Sequence, residues 1–326
     1  MEKGGLNHCK YGLRSSFFVP GFAGRYPISG ENRISRLLKK TNKLEDRAMM
    51  QSGGAFDKKA ILVVSFGTTY ADARKACIES VEDRMRAAFP GYEVRRAFTS
   101  RMIIRRLAER DGLIVDNERQ ALERLLAEGF SEVYVQPLHI VAGEEYEKIR
   151  SIVNEYADLK KFRRLALGRP LLYYMGKEEQ PDEPDDYLTV IKALDVTAGV
   201  DEAVVFMGHG GHHPANAAYA VLQFKLQDAG KQNVFVYAVE GYPSLQRVIG
   251  QLQSVGLRKV RLQPFMLVAG NHVRNDMDGD EKKSAKSILA AAGFDVEVNL
   301  NGLGENPAIQ DAYVRHIKDA MDKPAG

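Results

Sequence analysis

The sequence predicts an α/β protein made of two similar domains, each a doubly wound parallel sheet, that face each other across a cleft. Two observations lead to this prediction. Short apolar runs alternate with helical patterns from Lys58 onward, as expected for parallel strands covered by helices on both faces. The stretch QPLHIVAGEE (Gln136–Glu145) also returns as QPFMLVAGNH (Gln263–His272). A repeat that keeps its order along the chain indicates an internal duplication.

Each predicted strand of the first half has a counterpart in the second half. The matched stretches are AILVVSF (60–66) with AVVFMGHG (203–210), EVRRAFTS (93–100) with VYAVEG (236–241), and GFSEVYVQPL (129–138) with GLRKVRLQPF (256–265). Between the strands of the first half, helices are predicted over 72–88, from Met102, over 118–129 and from Glu144. The two halves are therefore expected to share one order of strands and helices.

The domain boundaries follow from changes in composition. Residues 58–185 and 186–326 are predicted to be the two domains, and the acidic, proline-containing stretch Tyr173–Asp186 is the candidate linker. Residues 1–57 lack strand or helix periodicity beyond one short piece and carry clustered cations. They are predicted to be a disordered extension, or residues before a true start at Met49 or Met50, and not a targeting peptide.

Charge and cysteine content exclude several classes of partner. A net charge of +3 without a dense basic stripe does not predict nucleic-acid binding. No apolar run is long enough to predict a membrane span, and no membrane partner is expected. Two cysteines, Cys9 and Cys77, cannot form a disulfide framework and favour a reducing, cytoplasmic compartment. A homo-oligomer is compatible with the sequence, which leaves the oligomeric state open.

The two halves differ mainly in the polar residues at their strand ends. Aligning those ends pairs Phe66 with His209, Thr99 with Glu240, and Glu145 with His272. The second half has thus gathered two imidazoles and one carboxylate at the sheet edge where ligands bind. Such a set suits a borderline divalent cation, and the glutamate can also accept protons. We predict a metal site of His209, Glu240 and His272, with His209 and Glu240 catalytic.

Each of these residues also has a plainer explanation. His209 fits a glycine-rich turn that binds an anion through backbone N–H groups. Glu240 fits a solvated strand end, and His272 fits a surface position before a polar loop. His139, inside an apolar strand, fits a hydrogen-bonded core histidine, and His316 in the last helix is expected at the surface. The sequence alone leaves these alternatives open.

Two stretches of the first half suggest anion binding. SFGTTY (Ser65–Tyr70) is a strand-to-helix turn that offers hydroxyl and N–H donors, although it lacks the Walker A and GxGxxG patterns. RMIIRR (Arg101–Arg106) follows a natural helix cap, and its arginines suit carboxylates, or else form an ordinary basic helix face. The candidate substrate-binding residues are Ser65, Gly67, Thr68, Thr69, Arg101, Arg105 and His139.

Several motifs together resemble one enzyme family. They are SFGTT, RAFTSRMIIRRLAERDG, PLHIVAGEEYEKI, VVFMGHGGHH, AVEGYP, PFMLVAGNHVRNDM and GLGENPAI. In this order they resemble the sirohydrochlorin cobaltochelatases of anaerobic cobalamin biosynthesis, which are class II chelatases. The resemblance runs from Lys58 to about Asp322 and does not cover residues 1–57.

The resemblance implies a chelatase-like fold with a tetrapyrrole in the interdomain cleft and insertion of Co(II), as substrate metal, into sirohydrochlorin. The family's metal-site residues lie in the MGHG turn, in AVE-x-YP and in AG-x-H, which match His209, Glu240 and His272. No organic cofactor is expected. The alternatives are an iron or nickel chelatase acting on the same tetrapyrrole and a non-catalytic tetrapyrrole or metal carrier. A solute-binding protein is disfavoured by the two histidines and the glutamate.

Overall fold

The structure, a computed structural model, describes residues 58–177 and 179–323. The predicted extension at residues 1–57 lies outside these residues. The strands of the described part are β1 (Lys58–Ser65), β2 (Glu93–Phe98), β3 (Phe130–Pro137), β4 (Arg164–Leu167), β5 (Met175–Lys177), β6 (Gln180–Asp185), β7 (Glu202–Gly210), β8 (Val234–Glu240), β9 (Lys259–Pro264) and β10 (Asp295–Val298). Their order confirms the predicted alternation with helices.

Helices connect most of these strands. They are α1 (71–88), α2 (Arg101–Asp111), α3 (Glu118–Ala127), α4 (Glu144–Asp158), α5 (Asp186–Leu194), α6 (Ala217–Asp228), α7 (Leu245–Ser254), α8 (Ala285–Ala291) and α9 (Pro307–Asp322). The middle of α1, Arg74–Glu79, is π-helical, and a separate π-helical turn spans Val273–Met277. The four helices predicted for the first half form within two residues of the expected positions.

The strand order confirms the duplication. One parallel sheet has the order β2-β1-β3-β4, and the other, read from β8, has the order β8-β7-β9-β10. Each strand thus occupies the same place as its counterpart. We call the two sheets with the helices packed on them the first lobe and the second lobe. Within the predicted linker, β5 and β6 form an antiparallel hairpin, and the predicted division at 185/186 falls where β6 meets α5.

The strand register shows which residues correspond. Val64 pairs with Pro137 in the first sheet and Met207 pairs with Pro264 in the second. Phe66 is therefore the counterpart of His209, as the sequence alignment predicts. The neighbouring ladder pairs Ser65 with Phe98 and Gly208 with Ala238. By this register the counterpart of Glu240 is Ser100 and not Thr99, so the predicted pairing was wrong by one residue.

In the segments that follow β3 and β9, the backbone forms equivalent hydrogen bonds in the two lobes. Leu171 N donates to the carbonyl of His139 at 2.9 Å, and Leu303 N donates to the carbonyl of its counterpart Met266 at 2.8 Å. The next pair along, Leu172 with Ile140 and Gly304 with Leu267, repeats the match. Backbone donors and acceptors that become buried must find partners, and the two lobes satisfy this demand in the same way.

The lobes share one hydrophobic core. Its members come from the first sheet, from the second sheet and from α9, and they include Ile61, Tyr134, Phe206, Phe265 and Tyr313. Two further clusters fill the outer faces, one around Leu62, Leu125 and Val133 in the first lobe and one around Val205, Leu252 and Leu262 in the second. Both faces of each sheet are thus covered, as expected for parallel strands.

The last helix crosses back to the first lobe. Tyr313 of α9 is fully buried and its hydroxyl donates to the carbonyl of Leu138 at 3.0 Å. His316 is 2 % exposed, with its Nε2 3.1 Å from Asp186 Oδ1, so the predicted surface position of His316 was wrong. Asp186 is distant from His316 in sequence. The same carboxylate accepts a hydrogen bond from Arg169 Nε at 2.9 Å.

No helix within the described residues is long and apolar enough to cross a membrane.

Candidate metal centre

At the carboxyl end of β7, His209 is followed by Gly210, which has a backbone conformation and a close contact that require glycine. Gly210 has a φ of +83°, and a Cβ at this position would lie 1.8 Å from the carbonyl oxygen of Glu240. Gly211 N donates to that same carbonyl at 2.7 Å. Strand β8 is therefore held tightly against the turn, while the His209 side chain is exposed and its Nδ1 lies 3.1 Å from the carbonyl oxygen of Gly210.

His272 stands at the start of the π-helical turn that follows β9. The turn is anchored by Val273 and Met277, both fully buried in the second lobe. Positions four residues apart share one side of a helical turn, so His272 and Asp276 lie together on the side that faces away from the core. His272 Nδ1 lies 2.6 Å from Asp276 Oδ2, and both side chains are partly exposed.

The fold brings the two predicted histidine ligands into contact. The ring centroids of His209 and His272 are 4.6 Å apart, and the rings meet edge to face at 83°. His209 lies at the end of β7 and His272 lies in the segment that follows β9, and these two strands are neighbours in the sheet. Two nearby imidazoles at the carboxyl edge of a parallel sheet form the kind of donor pair that Co, Ni, Zn or Fe ions bind.

Glu240 lies at the next strand end but does not complete a three-residue group. Its backbone pairs with Gly210 across the sheet, one residue from His209, and its side chain is exposed. Within residues 58–177 and 179–323, no three His, Cys, Asp or Glu side chains converge as a metal-holding group. The structure therefore unites the histidines of the predicted site, and the participation of Glu240 stays a prediction.

The SFGTTY turn of the first lobe lies against the histidine-bearing segment of the second lobe. A Cβ built on Gly270 would lie 3.9 Å from Thr68 Oγ1. Arg274 pairs with Asp72 at 2.7 Å, and its guanidinium carbon lies 4.2 Å from the centre of the Tyr70 ring. The two lobes thus meet at their strand ends, next to His272.

Within that turn, two of the predicted substrate-binding residues are buried, and the others shape or anchor the backbone. Ser65 and Thr68 are buried, and Thr68 Oγ1 accepts a hydrogen bond from Tyr70 N at 3.2 Å. Gly67 has a φ of +91°, and a Cβ there would meet the Phe98 ring at 2.6 Å. The carbonyl of Thr69 accepts from Arg110 of α2. A ligand could use the exposed edge of this turn, which begins at the half-exposed Phe66.

Arg101 and Arg105 lie on one exposed face of α2. Their side chains are 66 % and 71 % exposed, and their closest carboxylates, Glu118 and Glu109, are 3.7 and 4.0 Å away. Both ion pairs are long and both arginines are solvated, although Glu118 itself is buried, so the pairs stabilise the fold very little. The Ser100 side chain caps the helix by accepting from Ile103 N, so the basic face begins at the carboxyl end of β2.

His139 lies just beyond β3 with both ring nitrogens shielded from solvent. Neither nitrogen has a hydrogen-bond partner among the described residues. Burial lowers the pKa of His139 to about 4, against a smaller opposing effect of Glu145, so the ring is neutral near pH 7. His139 is therefore not the hydrogen-bonded core histidine that was expected, because its ring nitrogens are shielded but unpartnered while the residue is only partly buried, and its role in substrate binding stays a prediction.

Asp276 was missed when the sequence was considered alone. The stretch HVRND places His272 and Asp276 four residues apart, which is a recognisable spacing once the segment is known to be helical. The polar composition of NHVRNDMDGDE favoured a loop instead. Burial, together with the nearby Asp276, also raises the pKa of Tyr237 on β8, so this buried hydroxyl stays protonated beside the site.

Comparison with known proteins places these features in a family. The family model described as Cobalt chelatase (CbiK) matches residues 59–322. The sirohydrochlorin cobaltochelatase of Salmonella typhimurium is 43 % identical over 268 residues, which cover 81 % of this chain and 97 % of that protein. The sirohydrochlorin cobaltochelatase CbiKC of Nitratidesulfovibrio vulgaris is 32 % identical over 264 residues, which cover 81 % and 91 %.

A solved structure supports the fold independently. SirB from Bacillus subtilis with Fe3+ aligns with a TM-score of 0.55 at 17 % identity, covering 81 % of this chain and 96 % of SirB. At this identity the likeness concerns the fold alone. The long family match, the relative at 43 % identity and the duplicated parallel-sheet fold agree, and this chain belongs to the cobalt chelatase (CbiK) family.

Proposed function

We propose that this chain inserts Co(II) into sirohydrochlorin, as an enzyme of anaerobic cobalamin biosynthesis. The observation that carries the proposal is the contact between His209 and His272, with ring centroids 4.6 Å apart, in a chain that matches the cobalt chelatase family from 59 to 322. Both named relatives are sirohydrochlorin cobaltochelatases, which supports the same reaction here.

Metal insertion exchanges two protons of the ring for one metal ion. The macrocycle gives up two pyrrole N–H protons and gains one dication, so the ring nitrogens keep their electron pairs and two protons pass to bases. Neutral histidines can hold Co(II) through single nitrogens and leave its other side open for the ring. His209 and His272 hold the ion in this proposal, and Co(II) is a substrate.

Glu240 is proposed to complete the metal site or to accept a proton. Its exposed carboxylate stands on the strand next to His209, so a change of side-chain rotamer can bring it toward the histidines. A carboxylate beside a dication also offsets part of its charge before the ring arrives. The proton-accepting role predicts that Glu240→Gln slows insertion more than it weakens metal binding, whereas the ligand role predicts that metal binding weakens as well.

The tetrapyrrole is proposed to lie over the strand ends where the lobes meet. Its carboxylates need N–H or cationic partners, and the exposed Arg101 and Arg105 are the proposed ones. The Ser65–Thr69 turn and His139 complete the proposed contact surface. We also place the reaction in the cytoplasm, which rests on the two cysteines of the sequence.

Two other functions make different predictions. An iron or nickel chelatase would insert its own metal faster than cobalt under competition, and raw affinity cannot decide this because nickel binds nitrogen sites more tightly than cobalt. A tetrapyrrole or metal carrier would bind both partners without raising the rate of insertion. A competition assay with Co(II), Fe(II) and Ni(II) distinguishes the first, and the insertion rate distinguishes the second.

The direct test mixes the full chain with sirohydrochlorin and Co(II) without oxygen and follows the absorbance change. We expect fast insertion that falls at least about 100-fold in His209→Ala, because a lost ligand should cost no less than a lost supporting contact. His212→Ala is the matched control, since His212 is exposed in the same glycine-rich loop. Insertion no faster than the protein-free reaction would refute the proposal.

A further inference from the structure

Asp276 influences which ring nitrogen of His272 carries the hydrogen. A carboxylate can only accept hydrogen bonds, so the ring nitrogen 2.6 Å from Asp276 Oδ2 must carry the proton. That nitrogen is Nδ1, which leaves the lone pair of the neutral ring on Nε2. A partner on one ring nitrogen fixes which nitrogen is free to bind a metal.

The geometry of the turn makes this contact specific. Val273 and Met277 are fully buried, which fixes the rotation of the π-helical turn and places residues 272 and 276 on its outer side. Arg274, on the same turn, is tied to Asp72 and packs on Tyr70 of the first lobe. The turn is thus packed on the core on one side and contacts the other lobe on another, in an arrangement that places Asp276 beside His272.

His209 has a partner of a different kind. Its Nδ1 lies 3.1 Å from the carbonyl oxygen of Gly210, which also only accepts hydrogen bonds. Both contacts therefore favour the proton on Nδ1, which leaves Nε2 for a ligand. Only the partner of His272 is a charged side chain, and such supporting carboxylates orient the ring and strengthen it as a ligand.

We propose that Asp276 is a positioning residue that keeps His272 in the Nδ1–H form and directs its Nε2 to the metal. The inference rests on the proposed function for the identity of the metal, but the tautomer itself is a property of the metal-free protein. Asp276 does not touch the metal in this proposal, so its removal should weaken the site without abolishing it.

The test compares Asp276→Ala and Asp276→Leu with Asp276→Glu, which can still accept a hydrogen bond. The first measurement is the 15N NMR spectrum of the metal-free full chain, with His272→Gln identifying the His272 signals. We expect the wild type and Asp276→Glu to show the Nδ1–H form, and the Ala and Leu variants to show a mixture of both forms. Two non-accepting variants keep the test valid if one of them fails to fold.

The second measurement is the affinity for Co(II) alone, without tetrapyrrole. We expect a 10- to 100-fold loss in Asp276→Ala and Asp276→Leu and recovery in Asp276→Glu. Asp278→Ala is the control, because Asp278 is a carboxylate at the end of the same turn that pairs with Lys286 at 2.9 Å. Unchanged tautomer and affinity in the Ala and Leu variants would overturn the inference.

The two proposals fail in different ways. A protein that inserts cobalt rapidly but ignores the loss of Asp276 contradicts the positioning role and keeps the chelatase. A protein with the expected tautomer and the expected loss of Co(II) affinity, but without insertion, supports the positioning role and contradicts the enzyme.

Discussion

His139 is a neutral base kept in a place where its charged form is unfavourable. Burial lowers its pKa to about 4, below the ordinary value near 6.5. The unfolded chain therefore binds a proton at a higher pH than the folded chain. The contribution of this pKa difference to the free energy of unfolding is fully present above pH 6.5 and is lost as the pH falls toward 4.

Replacing His139 by methionine tests this effect, since Met266 fills the corresponding place in the second lobe. Between pH 7.5 and pH 5 we expect the wild type to lose about 2 kcal/mol of unfolding free energy through this histidine. His139→Met should lose less over the same range, as measured by urea unfolding at each pH. Equal losses in both proteins would show that His139 does not titrate as described.

Residue by residue, the sequence predicts the ligand pair better than its surroundings. His209 and His272 stand out because a duplication makes Phe66 and Glu145 their visible counterparts. Glu240 was paired with the wrong residue, because two residues separate β2 from α2 in the first half, whereas the four residues GYPS separate β8 from α7. The fully buried surroundings of His316 could not be predicted, since Asp186 and Arg169 become its neighbours only through the tertiary fold.

Helix α2 carries the next test, at the level of a single element. Arg101 and Arg105 are four residues apart and share a face, whereas the exposed Arg106 points to another. We expect Arg101→Ala and Arg105→Ala to raise KM for the tetrapyrrole about 3- to 10-fold each, as for a solvated charge pair worth about 1 kcal/mol, with Co(II) affinity unchanged. Arg106→Ala is the matched control. Equal effects of all three changes would indicate that positive charge in general attracts the tetrapyrrole, and would contradict specific binding by Arg101 and Arg105.

The elements themselves followed closely from local patterns. The predicted helix starts at residues 72, 102, 118 and 144 compare with observed starts at 71, 101, 118 and 144. Caps explain this agreement, because Ser100 and Asn117 accept hydrogen bonds from the first helical turns and favour termination of the preceding segment there. The π-helical turn after His272 has no such local signal, and polar residues in it concealed the helical spacing.

At the scale of the whole molecule, a buried charged cluster lies where distant parts of the chain meet. Arg169 follows β4, Asp186 begins α5 and His316 lies in α9. Burial alone would raise the pKa of Asp186, but hydrogen bonds from His316 and Arg169 lower it to about 2. The carboxylate is therefore ionised at neutral pH, and its contribution is lost only as the pH falls from about 4 toward 2.

Removing this charge should destabilise the whole protein. We expect Asp186→Asn to lower the free energy of unfolding by about 3–5 kcal/mol, because Arg169 is left buried without its main partner. Asp319→Asn is a close control, since Asp319 binds the same arginine at 2.5 Å but has a side chain that is 47 % exposed, and it should cost at most about 1 kcal/mol. Urea unfolding of both variants measures the difference, and equal costs would contradict the role of burial.

The course of the last helix could not be predicted from the sequence. The apolar spacing of α9 indicates that one face is buried, but it does not say which sheet receives that face. Following the duplication alone, α9 would be expected on the second sheet, beside β10. The structure instead places its buried residues, such as Tyr313, against β3 and β4 of the first.

This crossing has a consequence for the order in which the protein is made. On the ribosome, β3 is complete long before the helix that covers it exists, because the whole second lobe is translated in between. At usual rates of synthesis this delay is roughly 10 to 30 s. The nascent first lobe therefore keeps an uncovered apolar face during that time, and it becomes a finished lobe only after the second lobe has emerged.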